Sequence, residues 1–437
     1  MNINEFQQAR FGLFVHFGAY AANGKSEWLK AYQKLTNEQY QTYIDHFQPK
    51  ENCMEEWAAF AKAAGVKYAV LTTKHHDGFC LFDSQLTHYT TKQTIDRDLV
   101  REFVEAFREQ GIKIGFYYSL IDWHHDDFPH YGDLQHPRNT AVEEKAKETK
   151  RDLDRYLDYL HGQIHELLSN YGEIDMMWYD FSYNNPKDSG LPNMKGETWR
   201  ATELVKLMHE LQPNLIYNNR LGSNGGMLVA EPEIYAGDFT SPEQLIPPTG
   251  MMNEKGELVP WEACLTMNES WGYTNTSFGY KRLRTLIHAL VDSVSKNGNL
   301  LLNVGPDAKG KFPQKAQERL NGIGEWLEKN GESIYGCGAA PFPKPEWGRY
   351  TFKEAQNGQP AKLYAHIYER GVGPLPLVGL EGKLRSAKLV ADGTLLNMER
   401  PWNVSKFPDD AFLNLPWYDT LPDEIDTVIE FELVEGG

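Results

Sequence analysis

Eight short apolar runs, separated by stretches of helical periodicity, dominate the chain up to about Gly338 and leave few folds open to it. The runs are Gly12–Phe17, Tyr68–Thr72, Ile112–Tyr118, Ile174–Tyr179, Asn214–Asn218, Glu233–Ala236, Ala263–Met267 and Leu300–Val304. Near-continuous apolar runs of this length read as parallel strands buried on both faces. Between them, Leu153, Leu157, Leu160, Ile164 and Leu167 recur at helical spacing against a charged face, and Arg284–Lys296 and Lys315–Asn330 follow the same pattern. Eight strands and their crossovers over about 335 residues predict a (β/α)8-like, TIM-type barrel. A doubly wound sheet would place a glycine-rich phosphate turn after the first strand, where this chain has Phe14-Val15-His16-Phe17-Gly18.

Beyond Gly338 the pattern changes. Proline and glycine become frequent and segments alternate with period two: in Thr427–Val434, Ile429, Phe431 and Leu433 are expected to face inward and Glu430 and Glu432 outward. The reading is therefore a catalytic (β/α)8-like domain over residues 1–338 and an antiparallel β-sandwich over 339–437.

Charge and cysteine usage exclude several function classes. Lys and Arg total 44 against 61 Asp and Glu, a formal charge of −17. Nucleic acid and anionic membrane both demand clustered positive charge, so neither is expected as a partner. Cys53, Cys80, Cys264 and Cys337 are scattered, with neither a disulfide framework nor zinc-ligand spacing. The stretch Met1–Gln8 lacks the basic and apolar regions of a secretory signal, and no run approaches the roughly 18 apolar residues of a membrane span. A cytoplasmic location is expected, and homo-oligomer formation is left open.

In a (β/α) barrel the chemistry sits where strands run into their following loops. Here the strand ends carry His16, then Glu27-Trp28; Lys74-His75-His76-Asp77; Tyr117-Tyr118-Ser119 and Asp122-Trp123-His124-His125; Trp178 and Asp180; Asn218-Asn219-Arg220; Asp238 and Glu243; and Ser270-Trp271-Gly272-Tyr273. Three kinds of site could use this set. A metal-dependent hydrolase would draw on the histidines, but no H-x-H or HExxH spacing is present, and His75 and His76 would point to opposite faces of an extended strand. No metal and no cofactor is expected. A non-catalytic carbohydrate-binding protein would not need two carboxylates opposed in one pocket. A sugar-cleaving pocket uses everything: imidazole and guanidinium for hydroxyls, indole for a sugar face, two carboxylates for the bond.

The blocks Phe11-Gly12-Leu13-Phe14-Val15-His16-Phe17-Gly18, Lys74-His75-His76-Asp77-Gly78-Phe79, Tyr117-Tyr118-Ser119, Trp178-Tyr179-Asp180 and Ser270-Trp271-Gly272-Tyr273 together resemble glycoside hydrolase family 29, the retaining α-L-fucosidases. The resemblance covers the barrel region almost end to end, in order. It implies that Asp180 is the nucleophile. It implies a fucose pocket built from His16, Glu27, Trp28, His75, His76, Tyr118, Trp178 and Arg220, with Trp271 over the C6 methyl. Of the two adjacent tyrosines, Tyr118 is taken for the pocket. Glu243, which follows Asp238-Phe239, is taken as general acid/base, with Glu231, Glu233 and Glu262 as rivals. The implied reaction is exo-acting hydrolysis of terminal α-L-fucose from fucosylated oligosaccharides by double displacement.

Overall fold

The computed structural model describes residues 1–222, 234–253, 255–276, 279–356, 358–417 and 420–434. Among the described residues, seven parallel strands form one sheet: β1 (Phe11–Val15), β2 (Tyr68–Lys74), β3 (Lys113–Ser119), β4 (Met176–Asp180), β5 (Ile216–Tyr217), β6 (Trp261–Thr266) and β7 (Gly298–Val304), in the order β5-β4-β3-β2-β1-β7-β6. Parallel neighbours demand long crossovers. These include the helices Cys53–Ala63, Leu99–Glu109, Leu153–Asn170, Ala201–Leu211 and Leu283–Val294, with Gln314–Asn330 following the last strand.

The two-residue period of each strand sorts its side chains into two layers. Leu13, Val15, Leu71, Phe116, Tyr118, Met177 and Tyr179 join the large cluster that packs against the helices. Phe14, Val70, Tyr117, Met176, Trp178, Ile216, Cys264 and Leu301 form a separate cluster on the concave side, together with Phe6 of the helix Ile3–Ala9. The ring of Phe6 lies 4.7 Å from that of Phe239 and 5.6 Å from that of Tyr68, closing the end of the sheet remote from the strand C-termini.

The strand expected at Glu233–Ala236 is not one. Ile234–Ala236 is a turn of 3-10 helix, and Glu233 lies outside the described residues. Among the described residues no continuous ladder joins β5 to β6, so their sheet is not a closed eight-stranded barrel. Instead, residues 239–243 lie between the two edges and make single parallel bridges: Phe239 to Asn218, Thr240 to Trp261 and Glu243 to Cys264. Two residues account for this. Gly237 has φ +84°, and a Cβ there would come within 2.5 Å of the Asn218 backbone, so the chain reaches the sheet only after a turn. Pro242 then has no N–H to give to a ladder.

Among the described residues, the C-terminal region holds two antiparallel sheets. Strands β8 (Gly338–Ala339), β9 (Gly348–Lys353), β10 (Lys362–Ile367), β12 (Leu384–Leu389) and β14 (Thr427–Leu433) pair in the order β12-β14-β10-β9-β8, and β11 (Leu375–Leu377) pairs with β13 (Ala411–Leu413). Leu363, Ile367, Leu375, Leu377, Leu413, Ile429 and Phe431 share one apolar core between the sheets. The alternation in β14 is as expected for Ile429, Phe431 and Leu433, but Glu430 is not solvated. It is buried with Lys362 at 3.0 Å and Lys388 at 3.1 Å, because Tyr364 and Val428 on that face pack into the cluster of the parallel sheet.

Candidate active site

A cavity of about 110 Å³ opens at the C-terminal ends of the strands, lined by Phe14, His16, Glu27, Trp28, His75, His76, Tyr117, Trp178, Asp180, Phe181, Arg220, Glu243 and Trp271. Every residue expected at the site is present except Tyr118, and they are brought together from the ends of several strands and from the loops between them. His16 follows β1, His75 and His76 follow β2, Tyr117 lies in β3, Trp178 and Asp180 in β4, and Arg220 in the 3-10 turn after β5.

The two carboxylates are tied through one nitrogen. Arg220 Nη1 donates to Asp180 Oδ1 at 2.7 Å and to Glu243 Oε2 at 3.0 Å. By the triangle inequality those two oxygens lie within 5.7 Å of each other, the first contact plus the second. Carboxyl groups about 5–5.5 Å apart suit a nucleophile opposed to an acid/base, whereas activating a water between them requires roughly 6.5–9.5 Å. Arg220 is itself held by Ser241, whose Oγ and main-chain oxygen accept from Nε and Nη2 at 3.1 Å each, and its guanidinium lies 4.5 Å over the Trp178 ring. Burial opposes its charge, but Asp180 and Glu243 outweigh burial and hold its pKa above the ordinary value. Trp178 is therefore the floor under the arginine. Its Nε1 donates to the buried Glu262 at 3.2 Å.

The environments of the carboxylates differ. The Asp180 side chain is 14% exposed and that of Glu243 36%. Burial raises the Asp180 pKa, the charge of Arg220 opposes this, and the charge of Glu243 adds to it. Tyr117 also steadies the ionised form, its hydroxyl donating to Asp180 Oδ2 at 2.9 Å. Tyr118 is the correction to the expected site. One residue further along β3 it faces the helix layer, where its hydroxyl donates to Gln163 at 2.7 Å. The alternating run Ile112, Ile114, Phe116, Tyr118 carried this signal, since that phase packs on helices and Tyr117 belongs to the other.

The histidine tautomers follow from their partners. Asn303 gives its Nδ2 hydrogen to the Trp271 carbonyl at 2.7 Å, which leaves its Oδ1 to accept from His16 Nδ1 at 2.6 Å. Burial lowers the His16 pKa to about 3, so the ring is neutral and its Nε2 is a hydrogen-bond acceptor. Ser119 spends its one hydroxyl hydrogen on the Ile121 carbonyl at 2.6 Å, so its Oγ accepts from His76 Nδ1 at 2.8 Å. Burial likewise lowers the pKa of His75 and His76 well below the usual value. The expectation that these two rings diverge fails, because β2 ends at Lys74. Both lie beyond the strand, their centroids 4.0 Å apart.

Glu27 is buried and accepts from the Gly272 amide at 2.7 Å and from Ser26 at 2.9 Å. Burial raises its pKa. Trp28 lies against His76 and Phe181, and Trp271 against His16 and Phe14. Tyr117, Phe14 and Phe181 are the pocket residues the sequence reading did not select. Phe14 was legible as the inward neighbour of His16 at i−2. Phe181 has no sequence signal, since it reaches the pocket through a left-handed φ of +75°. Among the rivals for acid/base, Glu262 sits under the pocket floor at 0% exposure, and Glu231 and Glu233 lie outside the described residues. Among the described residues, no group of three or more His, Cys, Asp or Glu side chains is arranged to hold a metal ion.

The Alpha-L-fucosidase family model matches residues 2–332. The chain is 30% identical to plasma alpha-L-fucosidase of Rattus norvegicus over 359 residues, covering 76% of this chain and 70% of that protein. It is 28% identical to tissue alpha-L-fucosidase of Mus musculus over 429 residues, covering 90% and 87%. Among solved structures, alpha-L-fucosidase isoenzyme 1 from Paenibacillus thiaminolyticus superposes with a TM-score of 0.91 at 52% identity, covering 99% of this chain and 98% of that one. A GH29 alpha-L-fucosidase from Bacteroides thetaiotaomicron, trapped as a covalent intermediate in complex with 2-fluoro-fucosyl fluoride, superposes with a TM-score of 0.81 at 26% identity, covering 99% and 95%.

Proposed function

Because the chain belongs to the alpha-L-fucosidase family, we propose that it is an exo-acting, retaining α-L-fucosidase that releases terminal α-L-fucose from fucosylated oligosaccharides. The observation that carries this reading is the pair of carboxylates within 5.7 Å across one small pocket, the sum of their contacts to Arg220 Nη1. A cavity of about 110 Å³ is well below the roughly 300–1,000 Å³ of pockets for drug-sized ligands, which suits one sugar ring at a chain end.

In this reading Asp180 attacks the anomeric carbon from the β face while Glu243 gives its proton to the departing glycosidic oxygen. A β-fucosyl ester of Asp180 results. Glu243, now a carboxylate, removes a proton from water as the water's oxygen attacks the same carbon, releasing α-L-fucose and regenerating Asp180. His16 Nε2 and Glu27 accept ring hydroxyls, with His75 and His76 beside them, and Trp271 with Phe14 supplies an apolar corner for the C6 methyl. Arg220 stabilises Asp180 as a carboxylate, and Glu243 once it has given up its proton, and so acts on charge rather than as a free ligand for hydroxyls. The scaffold is read as the family's barrel with its sixth position reduced to bridges, followed by a small β-sandwich.

The test separates the two carboxylates by product. Asp180→Gly with an aryl α-L-fucoside and azide should be nearly inactive until azide attacks in the vacated space, giving β-fucosyl azide. Glu243→Ala should still form the fucosyl-enzyme from an activated aryl fucoside, and azide should then release α-fucosyl azide. The same anomer from both variants, or near-normal oligosaccharide hydrolysis by Glu243→Ala, would overturn the roles.

A further inference from the structure

The segment that carries Glu243 meets β6 in parallel hydrogen bonds interrupted only at Pro242, which has no N–H to give. Glu262 N donates to Thr240 O at 2.9 Å, Cys264 N to Pro242 O at 3.0 Å, and Gln244 N to Cys264 O at 2.9 Å. The next β6 amide facing this side is Thr266 N, and in a continuing ladder its acceptor would be the main-chain carbonyl of Gln244. It is not. Gln244 has φ +52°, a left-handed conformation that a side-chain-bearing residue adopts only when its surroundings impose it. Thr266 N donates instead to the Gln244 side-chain oxygen Oε1 at 3.3 Å.

A second bond completes the grip. Thr266 Oγ1 has one hydrogen, and its nearest acceptor is the Asn268 carbonyl at 2.5 Å. Oγ1 is thereby left to accept from Gln244 Nε2, which approaches to 3.0 Å. The amide of Gln244 thus fits Thr266 with an acceptor against its N–H and a donor against its hydroxyl. The side chain takes the place of the ladder's next rung, so the register to β6 is kept while the main chain leaves the sheet directly after Glu243.

We propose that Gln244 is a positioning residue for Glu243, with Thr266 as its anchor: the side-chain rung fixes the height at which Glu243 leaves the sheet and so holds its carboxyl opposite Asp180. This rests on the reading of Glu243 as general acid/base. The consequence is specific to proton delivery. Displacement by about 1 Å can cost on the order of a hundredfold in rate, and an acid is needed in proportion to how poor the leaving group is.

The experiment compares kcat/KM on a fucosyl oligosaccharide with that on a dinitrophenyl fucoside, whose leaving group needs little protonation. Gln244→Met keeps the side-chain length and removes both amide atoms. Thr266→Val removes the hydroxyl, and with it the contacts to Gln244 Nε2 and to the Asn268 carbonyl, Thr266→Ser keeps it, and Glu243→Gln is the reference. We expect Gln244→Met to lose about tenfold or more on the oligosaccharide and less than about threefold on the aryl fucoside, the same direction of discrimination as the reference. Thr266→Val should show a smaller version of the effect, and Thr266→Ser should restore wild-type values on both. Equal loss on the two substrates by Gln244→Met would mean general loosening, and no loss would mean no positioning; either overturns the inference. If Glu243→Gln itself lowers both substrates alike, the acid/base assignment falls and the inference with it. If Glu243→Gln discriminates and Gln244→Met does not, only the inference falls.

Discussion

Replacing Tyr117 by phenylalanine deletes a single hydrogen bond, from its hydroxyl to Asp180 Oδ2 at 2.9 Å, and leaves the ring between His75 and Trp178 in place. A hydrogen bond to a charged acceptor is worth about 1.5–3 kcal/mol, and part of that is recovered by water or by Arg220 rearranging. The bond favours the ionised carboxylate, so losing it adds to the rise that burial already imposes on the Asp180 pKa. In the proposed mechanism Asp180 must be ionised to attack, so activity is expected to fall as pH drops through its pKa. The sign is therefore fixed: the acidic limb of the kcat/KM profile moves toward higher pH in Tyr117→Phe. At about 1.4 kcal/mol per tenfold change in protonation, the expected displacement is on the order of one pH unit.

The assay is a pH series of kcat/KM on an aryl α-L-fucoside, with Tyr118→Phe as the partner variant. Tyr118 donates to Gln163 in the helix-facing layer, and its loss leaves a buried amide oxygen unpaired, a cost of about 1–3 kcal/mol in stability with no change in the profile. An acidic limb that stays put or moves to lower pH in Tyr117→Phe would refute the reasoning. So would an equal displacement in Tyr118→Phe.

Three further outcomes are expected. His16 remains uncharged at about pH 5 with its hydrogen on Nδ1, since burial takes its pKa down to about 3; nitrogen-resolved spectra showing a midpoint near the ordinary value of about 6.5 would contradict this. Asp122→Ala strips the counterion from Lys74, a pair 3.0 Å apart with both side chains buried, and should lower the unfolding free energy by about 3–5 kcal/mol in denaturant titration; a loss below about 1 kcal/mol would show the pair to be dispensable. Glu262→Gln should reduce oligosaccharide turnover by less than about tenfold and show no azide rescue, because Glu262 lies under the pocket floor; rescue by azide would return it to candidacy as acid/base.

The rim of the pocket was largely legible because in parallel strands the alternation and the strand end together locate a side chain, and His16, Trp178, Asp180 and Arg220 line the cavity where those rules put them. The failures have physical causes. Choosing between Tyr117 and Tyr118 required the phase of β3, and the family blocks contain both residues. Asp122 looks like site chemistry in sequence, yet it is the buried partner of Lys74, a pairing across 48 residues that no local pattern reveals. The sequence pattern puts the sixth strand at Glu233–Ala236. The chain instead reaches the sheet after Gly237, through a proline-containing stretch whose pairing is too sparse to read as a strand.

Two left-handed residues show what local sequence could not. Phe181 at φ +75° and Gln244 at φ +52° each follow one of the two carboxylates directly. In both places an extended continuation would carry the chain straight on past the carboxylate. A glycine would make either turn with less strain, but the side chains present do more than tolerate it. The Phe181 ring folds back to within 4.4 Å of His76 and 5.6 Å of Trp28, completing the pocket wall. The turn beneath it is held by the Leu120 amide on the Asp180 carbonyl at 3.0 Å and by the Ser182 hydroxyl, placed against the carbonyls of Arg220 and Leu221 at 2.7 and 2.9 Å. Gln244 is held by Thr266. The cost of each conformation, about 1–3 kcal/mol, is thus offset by contacts made only in that conformation. A glycine at position 181 would ease the backbone and remove the wall, so the strain and the shape of the pocket cannot be separated.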